Sequence, residues 1–593
     1  MTIPLNYQKR KNTHLFQSLE NHKSIQLSSL QNYIPIYKQL FLLNNSNYNS
    51  VNLNHLWTIN EIIEKPNVHN GCDNIFTCKL QNTNLHEITF ETKVFFKMAP
   101  LLDPCKYIVG KYNHTDQNLF NLPSLDNNDV HPKILNVHNS SYVDGFFVFL
   151  TSQLLNFKNF IHGVDYYGSF LTIKKKFKIN IIDDLHYLIK SDFFNKQKNV
   201  LFQVNDYSRF IEYESHHSLV PIKIHENVSS KISAKSIDNE LFEEIFENNS
   251  IENNLNLCDL SKTQEELIDI TDNNFINLDN ANNTTLRSSS SCSSRTSHTH
   301  TYSSYSINED SSDNDSHGST NGTVSNDEEI SEYTNDSCSS EEEKVDLIIP
   351  KFPIQLICME NCENTFDDLI INNNLSKDEW FSAFMQIIMI LITYQKVFSF
   401  THNDLHTNNV MYNTTSTKFI YYVYNKTYYK VPTFGRIYKI IDFGRAIYKF
   451  NGKTFCSDSF QNGGDASTQY NTEPFFNDKK PRLEPNYSFD LCRLACSIFD
   501  YIVDDFNNLK EIEKNNPVVK LIVEWCLDDN GLNVLYKNNG MERYPDFKLY
   551  KMISRFVHKH IPVAQLERPE FRKYILQKSN LPKDAIVMNI DEL

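Results

Sequence analysis

Glycine is scarce in this sequence: there are 14 among 593 residues, and Gly71 is the only one ahead of residue 98. That excludes a recognisable glycine-rich phosphate loop from the first part of the chain, where backbone amides would have to approach an anion closely. The twelve cysteines include no CxxC pair, and the two close spacings, Cys358/Cys362 and Cys492/Cys496, have no accompanying histidines to complete a zinc site. Reduced core thiols in a reducing compartment are expected instead. The longest apolar run, IIMILI at 387–392, is six residues long, far below the about 20 that a membrane span needs. The start, MTIPLNYQKRKNTHL, is polar. These absences predict a soluble, intracellular protein with no membrane partner.

Positive charge is also in short supply, but unevenly. Residues 226–344 hold 25 Asp and Glu against 6 Lys and Arg, whereas the remainder of the chain is close to neutral at +3. A near-neutral remainder offers no electrostatic footprint for DNA or RNA, so nucleic acid is excluded as the primary partner. The acidic stretch is rich in Ser and Asn, as in LRSSSSCSSRTSHTHTYSSYS (286–306). It cannot bury enough apolar surface to offset about 1–2 kcal/mol of backbone entropy per ordered residue, and disorder is expected across 226–344. The chain thus divides into an amino-terminal extension (1–70), a strand-rich part (71–225), the acidic insert, a larger helical part (345–560) and a carboxyl-terminal extension (561–593).

Within the strand-rich part, NIFTCKL (74–80) and HEITFETKVFFKMAP (86–100) read as a hairpin ending near Lys97. Apolar residues at 143, 146, 147, 150 and 154 recur at helical spacing, with Ser140 or Ser141 available as the cap. HGVDYYGSFLTI (162–173) reads as a further strand, giving a strand, strand, helix, strand order. After the insert, PIQLICME (353–360) is a short buried strand, and Ser376 with Glu379 forms a capping box that opens a long apolar helix. YYVYNKTYYKV (421–431) reads as a hairpin turning at Asn425-Lys426.

The residues that carry chemistry follow that helix. FTHNDLHTNNVMYN (400–413) sets Asp404 and Asn409 five residues apart in one loop, and YKIIDFGRAIY (438–448) runs an apolar strand into Asp442. A carboxylate that orients and deprotonates an attacking hydroxyl, beside hard oxygen ligands for Mg²⁺, is what phosphoryl transfer requires. Taken separately, each motif is also compatible with ordinary loop polar residues.

HNDLHTNN (402–409) followed by DFG (442–444) resembles the catalytic loop and metal-binding motif of eukaryotic-type protein kinases. His406, VPTFG (431–435) and GGDASTQYN (463–471) are similar to the haspin-like branch and to the divergent serine/threonine kinases of giant DNA viruses. The resemblance implies an α+β, bilobal protein-kinase-like fold with a small β-rich lobe, a large mainly helical lobe and the disordered insert in the small lobe. It implies ATP and Mg²⁺ as cofactors and a protein substrate, with Asp404 as catalytic base, Asn409 and Asp442 as metal ligands, and His402 as a structural loop residue. Lys97 matches the strand-borne Lys that grips the α and β phosphates. No Glu lies between Lys97 and residue 165, so Asp144 is the substitute partner, or else a first-turn Asp favoured by the helix dipole. ICMENCEN (357–364) resembles the hinge, with Met359 as gatekeeper and the Glu360 carbonyl and Cys362 amide facing adenine. Asp490 either holds the catalytic loop or caps a helix. The loop is similar also to that of aminoglycoside and choline phosphotransferases, and the missing glycine loop and helix Glu suit a non-catalytic scaffold; both alternatives stay open, as does the oligomeric state.

Overall fold

The computed structural model describes residues 3–64, 74–126, 129–208, 344–503 and 509–593. The acidic stretch 226–344 lies outside them except for Lys344, and so does Gly71. The described residues up to Asn205 and from Lys344 onward belong to one compact unit of mixed α and β structure.

Its main sheet is antiparallel and has seven strands: β1 (Leu27–Gln31), β2 (Trp57–Glu64), β3 (Ile75–Asn82), β4 (Thr89–Pro100), β5 (Tyr166–Asn180), β6 (Gln203–Val204) and β7 (Asp346–Glu360). The order across it is β1-β5-β7-β4-β3-β2, with β6 pairing the start of β7. The expected hairpin is β3–β4, in which Ile75 faces Phe95. Two strands run longer than expected. β5 starts at Tyr166, because residues 162–165 form the turn that enters it, and continues to Asn180 against the early part of β7. β7 begins at Asp346, and Phe352 to Met359 are all buried, since the strand is covered on both faces. The chain ahead of residue 71 is no appendage: β1 pairs β5 and β2 pairs β3 in this same sheet.

Helix α1 (Ser140–Lys158) packs on the sheet, and its cap is Asn139, whose side chain accepts from the Ser141 amide at 3.0 Å. The expected Ser caps sit one or two residues too late. Every residue of α1 from Ser141 to Leu154 is buried, so over that stretch it is a core helix with no solvent face. A Cβ at Gly145 would stand 2.4 Å from the Gln355 amide nitrogen on β7. The Gln355 side chain occupies the space that a larger residue at 145 would take.

Helix α2 (Lys377–Phe398) opens with the expected capping box between Ser376 and Glu379. By length and composition it could cross a membrane, yet 89% of its most apolar window is buried in the protein, which makes it the central core helix of this part. The hairpin Phe419–Tyr424/Thr427–Pro432 turns at Asn425-Lys426, both with positive φ. The carboxyl-terminal segment adds a strand to each side of it, Ile575–Leu576 and Val587–Asn589, and Asp591 accepts from both turn amides at 2.8 Å. The eight cysteines among the described residues are all buried, and none forms a disulfide.

His162 joins the two main parts of this core. Its Nδ1 lies 2.7 Å from the Tyr438 carbonyl and its Nε2 is 2.6 Å from the Tyr422 hydroxyl. The carbonyl can only accept, so Nδ1 carries the proton and Nε2 accepts from the phenol. Burial pushes the His162 pKa down to about 3. An unfolded His binds a proton below about pH 6.5, whereas the folded one stays neutral until about pH 3. Stability is therefore lost as pH falls through this window, by up to about 1.4 kcal/mol per pH unit. In urea titrations between pH 7.5 and 4.5, His162→Gln is expected to flatten that slope by about this amount. An unchanged slope would mean that His162 is not the group that titrates.

Candidate functional site

Lys97, Asp144, Asp404 and Asp442, far apart in sequence, line one cavity of about 290 Å³. Lys97 lies on β4 opposite Ile357 of β7, and its ammonium is 2.6 Å from Asp144 Oδ2 on α1 and 2.8 Å from Asp442 Oδ1. Asp144 also accepts from the Phe443 amide through Oδ1 at 2.9 Å. The Asp side chain is one methylene shorter than Glu, yet its carboxylate reaches the Lys97 ammonium directly. Asp144 is thus an ion-pair partner, and the cap of its helix is Asn139.

The charges in this cluster are unequal. Burial disfavours the Lys97 ammonium, but the two carboxylates outweigh it and raise its pKa above the usual lysine value. Burial and the neighbouring Asp442 charge push the Asp144 carboxyl up despite Lys97. Asp442 resists the same burial because Lys97 holds it below the usual carboxylate range. Two carboxylates around one ammonium divide in this way because their like charges cannot both be fully compensated. Asp442 has a positive φ of 63°, a conformation that Asp and Asn tolerate better than most residues.

The loop bearing Asp404 is fixed from three sides. Asp490, in the first turn of helix α3 (Phe489–Ile502), is fully buried and accepts from the His402 and Asn403 amides, each at 2.9 Å. It therefore holds the loop and does not cap its own helix. His402 Nδ1 accepts from the Asp404 amide at 3.3 Å, which leaves Nε2–H to donate to the Ile441 carbonyl at 2.9 Å. Asn403 is buried and donates to the Arg445 carbonyl while accepting from the Tyr470 hydroxyl. These bonds tie the loop to the chain on both sides of Asp442.

Asn409 does not line the cavity, though the Ile441 amide bonds its carbonyl at 3.0 Å, one residue before Asp442. Its amide nitrogen is tied to the Asp404 carbonyl at 3.0 Å and to His406 Nε2 at 3.1 Å. His406 can accept there because burial pushes its pKa down to about 4 and keeps it neutral. Asn409 Oδ1 has no hydrogen-bond partner among the described residues. Glu360 and Cys362 do not line this cavity either. The Glu360 side chain is spent on Lys439 at 2.8 Å and Asn413 at 2.7 Å, and its amide donates to the Asp165 carbonyl. The Cys362 amide has no hydrogen-bond partner among the described residues.

Among the described residues there is no group of three or more His, Cys, Asp and Glu able to hold a metal by themselves. The donor set present fits Mg²⁺ nonetheless, since that ion takes one or two hard oxygen ligands from protein and completes its shell with water and phosphate. Asp442 and Asn409 offer such oxygens. Sequence reading missed the groups that surround these residues: the Lys133–Asp458 and Arg445–Asp465 ion pairs, both 2.5 Å, and Tyr550 on the Asp404 carboxylate. None has a local signal, because each pairs residues from different elements. No protein-family model matches this chain, and no curated protein matches it.

Proposed function

We propose that this chain transfers the γ-phosphoryl group of ATP to Ser or Thr hydroxyls of proteins, in a bilobal protein-kinase-like fold with Mg²⁺ as cofactor. The observation that carries this reading is the Lys97–Asp144 ion pair meeting Asp442 and Asp404 in one cavity. A strand-borne Lys paired with a carboxylate on the following helix, beside the metal-binding Asp, is the arrangement protein kinases need. The likeness of the loop motifs to the haspin-like and viral kinases supplies the substrate class.

In this reading Lys97 holds the α and β phosphates, while Asp442 and Asn409 hold the metal. Mg²⁺, when bound, neutralises phosphate charge. Asp404 orients the substrate hydroxyl and takes its proton as the oxygen–phosphorus bond to the acceptor forms and the bond to the ADP oxygen breaks. His402 and Asp490 keep the loop rigid, so little reorganisation is needed when the hydroxyl arrives.

The test is transfer of labelled γ-phosphate from ATP to the protein itself and to a generic protein substrate, with and without Mg²⁺. Wild-type labelling that Asp404→Ala abolishes is expected. Nucleotide binding without protein labelling would point to a small hydroxyl compound as acceptor. Neither binding nor transfer would leave a scaffold.

A further inference from the structure

One contact of the Asp404 carboxylate is explained neither by the loop motif nor by the metal pair. Tyr550, on helix α4 (Lys548–Phe556), donates its phenolic hydrogen to Asp404 Oδ1 at 2.7 Å, across 146 residues of sequence. Arg493 Nε, from α3, donates to the same phenol oxygen at 2.9 Å, and its guanidinium lies 5.1 Å from the centre of the Tyr550 ring. Both residues are buried, at 0% and 1% exposure. The direction of this chain is set by chemistry. A guanidinium has donors only and stays charged, so the phenol oxygen must accept from it, and the single phenol hydrogen is left for the carboxylate.

The phenol approaches from the protein side. Asp404 lines the cavity and Tyr550 does not, so the ring does not stand where a substrate would enter. Among the described residues no other group bonds the carboxylate, which has one oxygen pinned and the other available to the cavity. The other polar side chains of the loop are engaged elsewhere: His402 with the Ile441 carbonyl and the Asp404 amide, Asn403 with the Arg445 carbonyl, and His406 with Asn409. Nothing in the loop itself fixes this carboxylate.

Resting on the phosphoryl-transfer reading, we propose that Tyr550, backed by Arg493, is a positioning residue for Asp404. It pins Oδ1 so that Oδ2 meets the substrate hydroxyl and receives its proton. The chain from guanidinium through phenol to carboxylate also supplies positive polarity to a buried anion from a group that never gives up its charge.

Tyr550→Phe removes the hydroxyl and keeps the ring, which packs on Phe489 and Phe547 as well as Arg493. Loss of one hydrogen bond to a charged group predicts a fall in kcat of about 10- to 100-fold. KM for ATP and for the protein substrate should stay within about twofold, because the phenol touches neither. In an Asp404→Asn background the same change should cost almost nothing further, since its effect runs through the carboxylate.

Any of these results overturns the proposal: a rise in rate, which would make the phenol a brake; an unchanged kcat with a lowered melting temperature, which would make its role structural; an equal loss in the Asp404→Asn background; or a KM effect alone. If wild-type protein transfers no label at all, the phosphoryl-transfer reading falls and takes this one with it. If wild type is active and Tyr550→Phe matches it, only the positioning role is lost.

Discussion

Asp442→Asn is expected to lower Mg²⁺-dependent phosphoryl transfer by about 10³-fold, equivalent to about 4 kcal/mol of lost transition-state stabilisation. The substitution is nearly isosteric, so the turn at Asp442 and the Phe443 amide bond to Asp144 can persist. What disappears is the negative charge that a hard cation requires and one of the two carboxylates facing Lys97. Lys97 retains Asp144 at 2.6 Å. Because Asp442 is one of the charges that push the Asp144 carboxyl up, removing it relieves repulsion inside the cluster. Lys97 favours the ionised Asp442 in the folded state, so this relief offsets the lost attraction only in part, and the melting temperature should fall slightly while the rate collapses. Labelled γ-phosphate transfer and a thermal melt on the same preparation read both. A rate near wild type would remove Asp442 from the proposed metal site, and a parallel loss of rate and stability would make its role architectural.

Phe147→Ala is expected to destabilise the protein by about 3–5 kcal/mol. The ring is fully buried on α1 and stacks on Phe400 at 4.4 Å, with Phe443 at 4.6 Å and Tyr448 at 4.7 Å. Tyr394 and Phe398 of α2 complete its surroundings at 5.3 and 5.4 Å. One side chain thus touches the helix that carries Asp144, the start of the loop that carries Asp404 and the residue after Asp442. Deleting it costs the transfer free energy of a phenyl ring and leaves a cavity lined by aromatic groups that cannot all collapse inward. Urea denaturation should show a lowered midpoint with an unchanged slope. Activity at low temperature should fall as well, since the three acidic groups are held in register through this ring. A loss below about 1 kcal/mol would mean that the surrounding rings repack, and the shared support would then lie elsewhere.

The two effects differ in how visible their causes are in the linear chain. Asp442 is announced by the apolar strand and the DFG turn around it, as Asp404 and Asn409 are by their shared loop. Phe147 is one aromatic in a run of apolar residues, GFFVFL, and nothing local marks it as the common neighbour of three site segments. Asp144 lies between these cases: the absence of Glu narrows the choice to it, but only the packing of α1 on the sheet brings its carboxylate to Lys97. Glu360 is instructive in the other direction. The backbone carries the hinge likeness, while the side chain serves a buried pair with Lys439 that no spacing rule suggests.

What the sequence by itself determined is what neighbouring residues can encode: the capping box at Ser376, the turn at Asn425-Lys426, the apolar stripe of α1 and the fixed interval from Asp404 to Asn409. These depend on hydrogen bonds and side-chain spacing within one or two turns of chain, and so they are legible residue by residue. Only the tertiary structure decided that Leu27–Gln31 and Trp57–Glu64 enter the main sheet, that the carboxyl-terminal segment flanks the 419–432 hairpin, and that Tyr550 and Arg493 stand behind Asp404. Each of those pairings joins segments far apart in the chain, where closure entropy is offset only by burying many groups together. Such contacts belong to the packed whole, and no local pattern of residues specifies them.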